Sequence, residues 1–232
     1  MHMNSGMAGR RSFGGPKLAR CALLLYCCHA YSQTLANSMQ QPAPVGRSEA
    51  DERWTISAAV YTYFPPETGN YLQPTLAADH DWLHLEGRYN YEELDTGSAW
   101  LGHNFSGGGE KVQWEFSPML GGVFGKLTGI APGYRGSLSW RKVELSSEGE
   151  YIIDTANSSD SYFYNWSELS LGLFDRFRIG VAAQHTHAYQ TDRDVQRGVL
   201  AGLSYKNADL TGYVFNPDDR TPTVVIALSM SW

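Results

Sequence analysis

TVVIALSMSW, residues 223–232, decides the fold. Val224, Ile226, Leu228, Met230 and Trp232 are apolar at every second position, and between them sit Thr223, Val225, Ala227, Ser229 and Ser231, small and mostly polar. Successive side chains of a strand point to opposite faces, so a period of two describes a strand with one greasy face and one small-residue face. A helix repeats its apolar residues every three or four positions, which this stretch does not do.

The same alternation recurs upstream. From Trp54 onward twelve segments are separated by turn residues: 54–64, 71–79, 82–91, 98–106, 111–125, 134–145, 148–156, 162–174, 177–189, 195–206, 209–215 and 223–232. Most are close to the ~9–11 residues that a tilted strand needs to cross a bilayer. In 82–91, Leu83, Leu85, Gly87, Tyr89 and Tyr91 oppose Trp82, His84, Glu86, Arg88 and Asn90. In 177–184, Phe177, Ile179, Val181 and Ala183 oppose Arg178, Gly180, Ala182 and Gln184. A soluble sandwich alternates too, with its apolar side turned inward. Here the polar faces mix charges with Gly, Ser and Gln, as a barrel interior does, and the apolar faces tend to end in aromatics such as Tyr89, Tyr91, Phe105, Tyr134, Tyr189, Tyr205 and Trp232. The connections predicted at one end are short, among them His80-Asp81, Ser146-Ser147 and Asp175-Arg176. Those at the other end, near PPETGN (65–70), KLTGIAPG (126–133) and NPDDRTP (216–222), are mostly longer.

Composition agrees with an all-β chain: 13% of residues are aromatic and 24 are glycine, with a mean hydropathy of −0.36. No run of apolar residues reaches the ~18 that a spanning helix needs. Residues 1–32 differ from the rest: Arg10, Arg11, Lys17 and Arg20 lead into CALLLYCCHAYS (21–32), and the first acidic residue is Glu49. A basic front, a short apolar core and small residues near Ala30, Ser32 or Ala36 predict a signal peptide cleaved within about 30–36. All three cysteines (Cys21, Cys27, Cys28) fall inside it, so the mature chain is expected to hold no disulfide. Without the leader, 14 basic residues face 24 acidic ones, a net charge of −10 that argues against a nucleic-acid partner. Residues 33–53 read as a polar, proline-containing tether, leaving 54–232 as the single folded unit.

The terminal stretch resembles the C-terminal targeting strand of bacterial outer-membrane β-barrel proteins, the porin-like superfamily, which closes on an aromatic residue. The resemblance implies a transmembrane antiparallel barrel of about twelve strands with both termini periplasmic, located in the cell outer membrane. It also implies that Ile226, Leu228, Met230 and Trp232 form an insertion signal read by the barrel-insertion machinery. The last strand is then expected to pair with the first, because an open sheet edge is not tolerated in hydrocarbon. Outer-membrane lipid and lipopolysaccharide are the expected surroundings, and a monomer the expected state.

By parity the lumen is lined by His84, Glu86, Arg88, Lys111, Glu115, Arg135, Arg141, Glu150, Glu168 and Arg178, with Gln113, Asp154 and Gln184 beside them. Such a mixed lining suits either a narrow channel for small polar solutes or a plugged structural barrel without chemistry. Two alternatives stand beside these. One is a rim hydrolase acting on lipid or surface protein through His185, His187, Asp192 and Asp194, a weaker assignment because no G-x-S-x-G or H-E-x-x-H accompanies them. The other is a periplasmic all-β binding or scaffolding protein. No metal-ligand spacing is present, and no cofactor is expected.

Overall fold

A computed structural model describes residues 53–66, 69–156, 161–188 and 194–232. The expected leader, all of the tether before Arg53, Tyr189 and Asp192 lie outside the described residues. The strands are β1 (Thr55–Phe64), β2 (Tyr71–His80), β3 (Leu83–Tyr89), β4 (Thr96–His103), β5 (Phe105–Gly108), β6 (Val112–Gly125) and β7 (Gly129–Trp140). They continue as β8 (Val143–Asp154), β9 (Tyr162–Phe174), β10 (Phe177–Ala188), β11 (Asp194–Tyr205), β12 (Ala208–Phe215) and β13 (Thr223–Ser231). β4 and β5 are one stave broken at Asn104, and both pair with β6, so the wall has twelve staves.

Every neighbouring pair is antiparallel, and the sheet closes on itself through β1 and β13. There Val60 stands opposite Leu228 and Ala59 opposite Ser229, and Ile56 and Trp232 exchange both backbone bonds at 2.9 Å. Closure joins the first strand to the last, so the sheet has no free side strand there, which is what a sheet surrounded by hydrocarbon requires. The connections at the end that holds Trp54 and Trp232 are tight, with left-handed φ at Asp81, Arg141 and Lys206. Those described in full at the opposite end run through 90–95, 126–128 and 216–222. We call these the turn end and the loop end.

The placement of apolar surface identifies the solvent. Leu76, Leu101 and Leu120 are 57–59% exposed on the outer wall, while His84 is wholly buried inside. A water-soluble sandwich has the reverse arrangement, and an apolar outer surface this continuous is suited to lipid. Aromatics ring both ends of that surface: Trp54, Trp82, Trp140, Tyr205 and Trp232 at the turn end, and Phe64, Tyr89, Phe124 and Tyr151 at the loop end. Cations of the turns lie over the turn-end ring, with Arg141 5.4 Å from the Trp140 centroid and Arg176 5.1 Å from that of Tyr205. The fold is therefore a transmembrane β-barrel.

Three expectations are corrected. The hairpin predicted to turn at Ser146-Ser147 turns at Arg141-Lys142, and residues 129–133 of the presumed loop belong to β7. Sequence reasoning misread this because Gly129, Pro132 and Gly133 resemble turn residues. In the structure they sit in a strand whose ladder to β8 skips Ala131-Pro132, where proline has no N–H to donate. Tyr91 does not join the outer ring. The positive φ of Asn90 ends the alternation of β3, and the Tyr91 ring turns inside. Finally, Tyr134 belongs to mid-wall rather than to a girdle. It faces outward in a polar group with Ser147, Asn165 and Ser167, in which the two N–H bonds of Asn165 Nδ2 are shared among the Tyr134 hydroxyl (2.9 Å), Ser147 Oγ (3.1 Å) and the Glu148 carbonyl (2.8 Å).

Candidate functional site

The candidate site is the barrel interior, and side-chain size divides it along the axis. Toward the turn end the inward positions are small: Ser57, Gly102, Ser117, Ser137, Ser170 and Ser229. They leave a cavity of about 200 Å³ bordered by Asp79, Asn104, Glu115 and Arg135. Toward the loop end the inward positions are large, and Tyr61, Tyr63, Trp100, Tyr164, Trp166 and Tyr213 line the interior. Trp166 meets Tyr213 and Phe215 edge-on at 5.7 and 5.1 Å, and Tyr63 stacks on Tyr71 at 4.8 Å. A twelve-stave barrel is wider than side chains alone fill as a rule, so these aromatics set the bore.

The β3–β4 connection narrows it further by folding inward. Asn90 holds the entry, accepting from Gln73 Nε2 through its carbonyl (2.7 Å) and from the Asp95 N–H through its side chain (2.9 Å). From there Tyr91 and Glu92 enter the lumen, both nearly or fully buried. The Tyr91 hydroxyl donates to Glu148, Ser98 Oγ donates to Glu92, and Tyr162 OH donates to the Glu92 carbonyl at 2.6 Å. Burial raises the Glu92 carboxyl above its ordinary range, against the pull of the Arg88 guanidinium.

Arg88 is the hub of this constriction. Its guanidinium lies between the rings of Tyr91 (4.2 Å) and Trp100 (4.4 Å). Nε donates to Glu86, and Nη1 donates to Glu150 at 3.0 Å and stands 4.0 Å from Glu92. Below it, His84 bridges Asp79 (2.7 Å) and Glu86 (3.0 Å) through its two ring nitrogens. Arg135 stands 3.7 Å from both Asp79 and Glu86. Nearest the turn end, Arg178 donates to Asp209 (3.1 Å) and to Thr211 Oγ1 (2.6 Å).

Of the residues expected in the lumen, His84, Glu86, Arg88, Arg135, Glu150, Glu168 and Arg178 thus point into it, and Glu115 borders the turn-end cavity. Lys111 and Arg141 do not. Both are exposed at the turns, since Lys111 precedes β6 and Arg141 is the left-handed residue of the β7–β8 hairpin. Five interior carboxylates were not singled out from sequence: Asp79, Glu92 and Glu148, together with Asp209 and Glu144 near Arg178. A parity count along 148–156 would have found Glu148; the inward fold of Glu92 has no local signal. Of the proposed rim set, His185 lies on the outer wall, edge-on to Phe163 with ring centroids 6.1 Å apart. The strand backbone carries His187 opposite Phe163 and Asp194 opposite Thr186, while Asp192 lies outside the described residues. Ile226, Leu228 and Met230 face outward along β13, and Trp232 follows them at its end.

No known family matches the sequence, and no curated relative does. Solved structures do. A KdgM porin superposes with a TM-score of 0.56 at 11% identity, over 76% of this chain and 99% of that one. A KdgM porin in complex with disordered oligogalacturonate superposes with a TM-score of 0.52, also at 11% identity, over 77% and 99%. At such identities the likeness establishes the fold, which is that of outer-membrane porins.

Proposed function

We propose that the chain is an outer-membrane channel of narrow bore for small polar solutes. The observation that supports this most directly is the hydrophilic axis: beneath an apolar outer wall, the inward face carries Asp79, Glu86, Arg135 and Arg178 down to a cavity open at the turn end. A barrel that needed only to be filled has no use for charges whose desolvation is costly. Polar solutes crossing a hydrocarbon layer do need them.

In this reading the turn end faces the periplasm, residues 1–32 direct export, 33–53 tether the N-terminus, and Ile226, Leu228, Met230 and Trp232 present the closing strand to the insertion machinery. The barrel works as a monomer among outer-membrane lipid and lipopolysaccharide. Arg88, clamped by Tyr91 and Trp100, forms the selectivity constriction. The oligogalacturonate of the neighbouring porin does not carry over as a solute, because the lining here is rich in carboxylates.

Single-channel recording on purified protein in a planar bilayer tests the proposal. Wild type gives small, steady unitary steps, and Y91A, which removes a ring from the constriction, gives larger ones. Silence from both, in preparations whose folding is verified by heat-modifiable migration, would show a sealed structural barrel.

A further inference from the structure

The sequence shows a lining of mixed sign, and the closed barrel converts this into an ordered imbalance. Three levels follow one another along the axis, each built on one guanidinium. Nearest the turn end, Arg178 pairs with Asp209, and Glu144 feels the charge of both together with that of Glu168. Next, Arg135 stands among Asp79, Glu86 and Glu115. At the constriction Arg88 meets Glu92, Glu148 and Glu150, besides sharing Glu86 with the level below. Each arginine is thus outnumbered three to one, and His84 between Asp79 and Glu86 adds a single further positive charge when doubly protonated.

A second observation concerns the carboxylate oxygens themselves. At the constriction, Glu92 Oε1 and Glu150 Oε2 are engaged with Ser98 and Arg88, whereas Glu92 Oε2 and Glu150 Oε1 are buried with no hydrogen-bond donor. When ionised, these oxygens can only accept, and in such a position they call for a positive or donating guest. Arg88 cannot swing to serve them all, because its plane is held between two aromatic rings. The basic residues that would offset the excess, Lys111 and Arg141 among them, are held outside the lumen at the turns.

We propose that this conduit selects cationic solutes over anions, the carboxylates of each level handing a cation to the next while the fixed arginines keep any one level from trapping it. The proposal rests on the channel reading above. Binding at successive sites, favourable enough to enter and weak enough to leave, is the condition for conduction.

The test is the zero-current potential of wild-type protein in a planar bilayer under a potassium chloride gradient. The expected preference for potassium is at least about fivefold, the factor that one surplus carboxylate ~4 Å from the ion supplies even at bulk-water dielectric. The E92Q/E150Q variant, its folding verified by heat-modifiable migration, should pass chloride more readily than wild type. Conductance with no preference, or with preference for chloride, overturns the selectivity and leaves the channel standing. Absence of conductance in verified barrels removes the channel and this proposal together.

Discussion

Replacing Arg88 with alanine perturbs the network at its most connected point. The substitution removes the donor to Glu86 and to Glu150, and the cation stacked between Tyr91 and Trp100. Deleting one partner of a buried ion network costs about 3–5 kcal/mol, because the charges left behind have lost both water and counter-ion. Each ring contact is worth a further ~0.5–2 kcal/mol in isolation. These terms share one guanidinium and do not add, so we expect a loss of about 4 kcal/mol at neutral pH. Proton uptake limits the damage. At a pH near the ordinary carboxylate value of about 4, Glu86, Glu92 and Glu150 are far more easily neutralised, and the loss should shrink to below about 2 kcal/mol. Urea unfolding of the lipid- or detergent-reconstituted barrel, followed by tryptophan fluorescence at neutral and acidic pH, measures both values. A second substitution, E150Q, should recover ~1–3 kcal/mol of the neutral-pH loss, since it removes one of the stranded charges. A neutral-pH loss under about 1 kcal/mol, or one equally large at both pH values, would refute the claim that Arg88 neutralises this cluster.

Three further outcomes are expected. Leu228→Arg, on the outer face of β13 opposite Val60, should destabilise the inserted barrel by about 2–4 kcal/mol in folding titrations; a neutral effect would mean that this face does not meet hydrocarbon. Glu92→Gln should flatten the pH dependence of stability. The folded-state carboxyl is raised, so Glu92 contributes a penalty that grows as pH climbs from the unfolded value through the folded one, and denaturation midpoints compared from acidic to neutral pH should show that decline in wild type alone. Asn165→Ala removes the amide whose two N–H bonds are shared by Tyr134, Ser147 and Glu148, and should cost about 1–2 kcal/mol; an unchanged unfolding midpoint would show that the group contributes nothing.

Alternation from Thr55 to Ser231 was readable one strand at a time, because successive strand side chains point to opposite faces whatever the partner strand is. That local rule was enough for the all-β class, the twelve staves and the inward direction of His84, Glu86, Arg88 and Arg178, while the closing pair of β1 and β13 was implied by the resemblance of the last strand. It failed where a neighbour decides the conformation. The turn at Arg141-Lys142 is set by the register of β7 against β6 and β8, and that register absorbs Gly129, Pro132 and Gly133 into a strand although alone they favour a turn. Tyr91 and Glu92 leave the pattern at Asn90, and their destinations, Glu148 and Tyr162, lie 57 and 70 residues away.

Periodicity determined which side chains share a face, and the mixed polar faces with their flanking aromatics pointed to greasy faces on the outside. What a side chain meets inside was decided only in three dimensions. Whether an interior is open or filled, balanced or acidic depends on which levels of different staves coincide, and strand stagger around a closed barrel is a property of the whole ring. Three arginines that look evenly matched along the chain are for that reason outnumbered once the ring closes.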